Sequence, residues 1–584
     1  MREILCSGQA QSLEFPYPGG MAALCWSPAG ERGELTVSLH YDGAYGMGEK
    51  YNAVNQKGHT AVNVVEEKFC FQGEKTYCPA PFFWTNTGFG LYAATDERTS
   101  FRFGEKAVCA ELPVDCRVVL FSGMPGEIIR DYMDLFGPAK LPPKWAFGPW
   151  ISANHWDSQE KVERAVAQAE EHGFPVCALV AEAWSDEATF YVFRGARYVP
   201  KPNGGAFRLE DFDFSDSPWP DPAGMVQRLH EKGIRFLLWQ IPVYKKQGPN
   251  EPLNAQNELD RADAVARGLC VHNADGSPYT IPEGHWFAGS MIPDFTNPAA
   301  EETWFSKRNY LTEMGIDGFK TDGGEFIYRE DVRFADGSSG RAGKNRYAQE
   351  YTAAYTKHLG SAQALFSRAG YAGQHTTPIH WAGDQQSQNS ELASALRAGL
   401  SAALTGIPFW GFDIGGFAGP LPTLDLYRRA TQLACFVPVM QWHSEPDGGQ
   451  FRELMPGGEG NNERSPWNLA AAYGKPEFVD EMRFWHNLRM ELLPYLYSVA
   501  LDCAEASKPM MRPLVYQWPE DPLVWDCEDE FLLGDSLLVA PLLEENAEKR
   551  AVYLPEGQWI GLFDRRAAAG GETIVAGGDR RLPV

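Results

Sequence analysis

The chain has 584 residues, enough for about four units of the usual ~150-residue size or for one large barrel with satellites. With 44% hydrophobic and 22% charged residues it reads as globular rather than disordered or fibrous. A net charge of −25, from 52 basic and 77 acidic side chains, argues against a nucleic-acid or anionic-membrane partner. No apolar window is long enough to span a bilayer, and Met1–Phe15 lacks a basic stretch followed by an apolar one. The eleven cysteines, scattered from Cys6 to Cys527 without a C-x-x-C pair, read as reduced thiols. A cytoplasmic protein is expected.

Up to residue 143 the chain shows short alternating strands, such as Leu35–Leu39, Gly90–Ala94 and Val118–Phe121, and one helix near Gly126–Leu135. This predicts an N-terminal β-sandwich over 1–143, closed by Pro142-Pro143. From Lys144 short apolar runs alternate with helix-period segments. The runs are Ala146–Ser152, Val176–Ala183, Arg235–Pro242, Ile316–Asp322, Ala364–Arg368, Ile379–Asp384, Pro408–Asp413 and Val437–His443. Strands alternating with helices imply right-handed βαβ units, and eight of them match a (β/α)8 barrel over 144–508. The intervening helices are predicted at Ser158–His172, Pro222–Lys232, Glu301–Met314, Tyr347–Leu359, Glu391–Leu404 and Leu424–Cys435. The fifth and sixth runs lie too close for a helix between them. Loop insertions at 190–220 and 244–296 should stand over the barrel top, where sites are built. A long helix, Glu477–Ser507, closes the barrel. Strands at Phe531–Ala540, Lys549–Leu554 and Trp559–Phe563 then predict a small C-terminal β-domain over 509–584.

Polar side chains stand at the carboxyl ends of these runs: Glu182, Gln240, Asp322, Arg368, Asp384, Asp413 and His443. Singly, an Asp after a strand is more often a helix cap or turn former. Seven around one rim outline an active site. No histidine pair has metal-ligand spacing, and neither dinucleotide nor P-loop glycine pattern is present, so no cofactor is expected. Paired carboxylates suit glycoside cleavage, in which one stabilises an oxocarbenium-like centre and the other protonates the leaving oxygen.

Three segments carry a resemblance. GIDGFKTDGGEF (Gly315–Phe326) resembles the nucleophile segment of glycoside hydrolase family 31, IHWAGDQQS (Ile379–Ser387) its acid/base segment, and FWGFDIGGF (Phe409–Phe417) its Asp-Ile-Gly-Gly-Phe signature. YGMGEKYN, FWTNTGFGLY, PPKWAFGPWIS, PDFTNP, WHSE and ERSPWN follow the family's order over about 45–580. The resemblance implies a retaining α-glycosidase with Asp322 as nucleophile and Asp384 as acid/base. It implies Arg368, Asp413 and His443 as sugar-holding residues, Lys320 beside Asp322 to keep it ionised, and Trp286, Trp381 and Phe417 as apolar walls, with Glu182 and Trp239 also in the substrate-binding set. α-Glucosides and α-xylosides are the leading substrates, and Lys320 looks like the xylosidase-type branch. Two departures bear on the sugar. Glu182 stands where gluco-active members present Asp, and Gln441 stands where Arg is usual. α-Galactosidase, α-N-acetylgalactosaminidase and transglycosylase therefore stay open, as does a non-catalytic sugar-binding protein. So does a metal enzyme using Asp322, Asp413 and Glu325. The end at Leu582-Pro583-Val584 looks like the middle of the family's proximal C-terminal β-domain, with the distal one absent. An isologous dimer would be unsurprising.

Overall fold

The computed structural model describes residues 1–67, 69–446 and 460–577; the C-terminal tripeptide lies outside them. The N-terminal part is a sandwich of two antiparallel sheets. One has five strands in the order Arg2–Cys6, Cys116–Ser122, Phe89–Ala94, Pro79–Thr85, Ala44–Gly48; the other has six, from Gln11–Tyr17 to Thr60–Asn63. Period-two patterning makes this possible: in Gly20–Ala29 the buried positions are Ala22, Leu24 and Trp26, facing Phe83, Phe89 and Leu91 across the interior. The strand Pro79–Thr85 breaks the alternation and is buried throughout. Its second face belongs to the barrel: Phe82 and Trp84 pack in the barrel's core cluster, and Trp84 Nε1 donates to Leu404 O at 3.0 Å.

The barrel is closed and parallel, built from β1 (Pro149–Ala153), β2 (Ala178–Ala181), β3 (Arg235–Gln240), β4 (Gly318–Thr321), β5 (Ala364–Ser367), β6 (Ile379–Trp381), β7 (Trp410–Asp413) and β8 (Val439–Ser444). Trp150, Val180, Leu237, Phe366, Ile379, Trp381 and Val439 fill its interior, so it is a packed core and not a pore. Side chains alternate along each strand. Phe319 turns outward onto Tyr355 at 5.5 Å between ring centres, while Lys320 is directed inward. Between β5 and β6 there is a short 3₁₀ turn, Gln374–Thr376, in place of a helix. The helix Glu477–Ala506 closes the bottom, its Arg489 capping the carbonyls of Phe147, Cys435, Val437 and Pro438.

Three expectations are corrected. The segment predicted as one helix over Glu301–Met314 is two, Pro298–Ser306 and Asn309–Glu313, because Arg308 swings inward to donate to Gln240 Oε1 at 2.6 Å and stacks over Trp304. The insertion read as loop over 244–296 contains a helix, Ala255–Ala266, started by the Asn254 side chain on Asn257 N. The run Phe531–Ala540 is a hairpin of two strands, Phe531–Leu533 and Leu537–Val539, turned at Gly534 with φ 65°. Among the described residues no helix is long and apolar enough to cross a membrane.

Candidate active site

A cavity of about 630 Å³ opens at the carboxyl ends of the barrel strands. Glu182, Trp239, Trp286, Asp322, Arg368, Asp384 and Phe417 line it. Asp322 follows β4, and both its oxygens are held: Trp239 Nε1 donates to Oδ2 at 3.0 Å, and Gly323 N donates to Oδ1 at 2.8 Å. Gly323 has φ 71°, and a Cβ there would lie 2.7 Å from Ile241 Cδ1 and the Phe326 ring. Only glycine lets the chain turn back at once and leave the carboxylate facing the cavity.

Arg368, one residue past β5 and fully buried, organises the charge. Its Nη1 lies 3.2 Å from Asp322 Oδ1 and 3.7 Å from Asp384 Oδ2. The two contacts to one nitrogen hold those oxygens to within about 7 Å of each other, which accommodates the ~5–5.5 Å carboxyl spacing of a double displacement. Arg368 also pairs with Glu325, and with Glu67 at 3.4 Å. Burial lifts the Asp384 carboxyl well above the ordinary carboxylate range; Arg368 draws it down, and Asp322 and Glu67 push it up again. Asp384 is thereby suited to hold a proton, as a general acid must.

Lys320, Trp381, Asp413 and His443 lie one layer deeper, each almost wholly buried. Lys320 Nζ donates to Glu182 Oε1 at 2.5 Å and sits 4.7 Å above the Trp381 ring. Burial pulls the ammonium down, but Glu182, Asp413 and Asp322 outweigh it and hold the group above its ordinary value. Burial likewise brings Glu182 up to about 7 against the pull of Lys320. Gln441 Nε2 donates to Asp413 Oδ1 at 2.7 Å, while Asp413 Oδ2 has no hydrogen-bond partner. His443 Nδ1 bonds Ser152 Oγ at 2.9 Å, and the ring tilts against Phe417 at 4.7 Å between centres. Burial, Lys320 and Arg464 keep this imidazole far below its usual range, hence neutral.

Two sequence expectations change. Gln240 is no rim residue: its amide donates to Phe190 O and Trp239 O, its oxygen accepts from Arg308 and Tyr355, and it locks the strand to the outer helices. Trp381, expected as a cavity wall, packs instead on Phe366 at 5.0 Å inside the barrel, because β6 ends there and only the following loop reaches the cavity. The cavity also has lining that sequence reasoning missed. Glu66, Glu67, Phe69 and Lys75 come from the N-terminal sandwich, and Tyr328 and Lys344 from the segment after β4. Nothing in the local pattern marks Glu67, since its partner Arg368 lies 301 residues away. The set Asp322, Asp413 and Glu325 does not gather as metal ligands. Among the described residues, Cys527, Asp529 and Glu530 form the one group bringing three donor atoms within 4.8 Å of one another, and Arg550 pairs with both its carboxylates.

Residues 139–499 match the family model described as the glycosyl hydrolases family 31 TIM-barrel domain, and residues 507–584 match that of the family's C-terminal domain. The chain belongs to glycoside hydrolase family 31. This family 31 chain is 36% identical over 556 residues to the isomaltosyltransferase of Sporosarcina globispora, covering 92% of this chain and 50% of that one. It thus spans half the length of that relative. It is also 36% identical to the 1,3-alpha-isomaltosidase of Kribbella flavida, covering 93% of this chain and 76% of the relative. Its structure is similar to the cycloalternan-degrading enzyme from Trueperella pyogenes in complex with a covalent intermediate, with a TM-score of 0.90 and 34% identity over 98% of this chain and 82% of that one.

Proposed function

We propose that the chain is a retaining α-glycosidase acting on α-glucosidic oligosaccharides, with isomaltosyl units as the leading donor. The observation that carries this reading is the pair Asp322 and Asp384 on one Arg368 nitrogen in one cavity. Asp322 attacks the anomeric carbon while Asp384 passes its proton to the leaving oxygen, giving a glycosyl ester and a free alcohol. Asp384 then takes the proton of an incoming water or sugar hydroxyl, which attacks the ester and restores the α configuration. Trp286 and Phe417 supply apolar faces for the sugar.

The isomaltosyl preference is supported by the two relatives at 36% identity, which are named for transfer and hydrolysis of such units. It refines the expectation of a simple α-glucosidase or α-xylosidase. The chain's eleven cysteines are free thiols, which supports placement in the cytoplasm. The test is a panel of nitrophenyl α-glucoside, α-isomaltoside, α-xyloside and α-galactoside, with and without chelator, with products followed by NMR. We expect the isomaltoside to be turned over fastest, the α-anomer to appear first, and chelator to have no effect. Early β-anomer would overturn the retaining reading, and a preference for xyloside or galactoside the sugar assignment. Adding maltose as acceptor decides between transfer and hydrolysis.

A further inference from the structure

The loop carrying Asp384 is held by the N-terminal sandwich at three successive points. Tyr51 OH donates to Ala382 O at 2.7 Å. The Tyr77 ring lies flush on Gly383, where a Cβ would come within 2.1 Å of it. Cys70 pairs with Gln385 in a parallel bridge. Between these anchors the same segment of the sandwich sends Glu67 into the cavity. Its Oε1 lies 3.4 Å from Arg368 Nη1, the nitrogen shared by Asp322 and Asp384, and accepts from Tyr77 OH at 3.4 Å. The Arg368 guanidinium rests 4.6 Å above the Tyr77 ring, and Gly370 N donates to Tyr77 O. Val65 and Glu66 fasten the start of the segment to Asn345 and Lys344.

We propose that Glu67 is a positioning residue for the reaction: by pairing with Arg368 it limits the positive charge that this guanidinium presents to Asp384, and so helps Asp384 keep the proton it must deliver. The inference rests on the retaining reading above, since it needs Asp384 to be the acid. The groups facing Asp384 are Arg368 from β5, Asp322 and Lys320 from the β4 end, and Glu67, Cys70 and Tyr77 from the sandwich. Glu325 faces Arg368 from the opposite side, so Arg368 is shared among four carboxylates. Removing the charge of Glu67 returns part of that guanidinium to Asp384 and favours its ionised form.

The test is the pH dependence of kcat/KM for a sugar leaving group in Glu67→Gln and Glu67→Asp, with thermal unfolding followed alongside. In Glu67→Gln the basic limb should move to lower pH by about one unit. The loss should grow with the basicity of the leaving group, and Glu67→Asp should recover part of the shift. A basic limb that stays in place, with activity either unchanged or lowered equally at every pH, overturns the proposal. Asp384→Ala, assayed in parallel, separates the two readings. If it spares nitrophenyl substrates and loses sugar leaving groups, Asp384 is the acid and the pH profiles decide the role of Glu67 by themselves. If it affects both equally, the assignment of Asp384 as the acid has failed, and with it the reading on which the role of Glu67 rests.

Discussion

Asp322 is fastened through both oxygens, whereas Asp384 has little direct bonding and burial raises its carboxyl; the two should answer differently to truncation. Asp322→Ala removes the bond-forming atom, so turnover of an activated nitrophenyl α-glycoside should fall by about a thousandfold or more. Asp384→Ala should cost ~10²–10⁴ on sugar leaving groups and far less on nitrophenol, which leaves without a proton. The Lys320–Glu182 pair makes a second prediction at this scale. Both groups are buried, so Lys320→Met or Glu182→Gln alone strands a charge or its partner, at a cost of about 3–5 kcal/mol. The double substitution should recover most of that loss in thermal unfolding, and a double variant no more stable than either single one would refute the coupling. Asp322 and Asp384 stand out in the sequence because each lies just past a strand inside a recognisable segment, and Arg368 because it directly follows an apolar run. Gln240 misleads because strand-end position alone does not tell whether a side chain turns into the cavity or back toward the helices.

At the scale of elements, the barrel depends on tight reversals directly after its strands. Gly323→Ala would force an L-residue into the left-handed region, costing roughly 1–2 kcal/mol from backbone strain, with the clash against Ile241 and Phe326 added. We expect a folded protein with activity lowered at least about tenfold, because a misplaced Asp322 loses its near-attack geometry. Retention of full activity would show that the turn tolerates rearrangement. The barrel strands and most helices are readable from apolar runs and 3.6-residue periodicity. The break at Lys307–Arg308 is not, since it comes from a buried guanidinium seeking Gln240 across the structure. The helix Ala255–Ala266 is hidden in the sequence because Gly, Pro and Asn on either side mask a modest periodic stretch.

For the molecule as a whole, the joint between sandwich and barrel buries a titratable group. Glu49 sits there fully buried, its carboxyl raised by burial to about 7 despite a hydrogen bond from Trp410. A carboxyl whose folded value exceeds the unfolded one contributes stability that is complete below the unfolded value and lost as pH rises through the folded one. Here that window runs from about pH 4.5 to about 7. Glu49→Gln stays neutral throughout, so its melting temperature should match the parent at pH 4 and exceed it above pH 7. Equal pH dependence in the two proteins would show that Glu49 is not the group responsible.

The long-range origin of the cavity wall also sets an order of events during synthesis. Glu67 leaves the ribosome 301 residues ahead of Arg368. At ~5–20 residues per second the sandwich would wait roughly a quarter of a minute to a minute for its counterpart. Throughout that interval Glu67 lacks the guanidinium it pairs with in the finished fold. The cavity wall therefore cannot be completed until well over half of the polypeptide has been made.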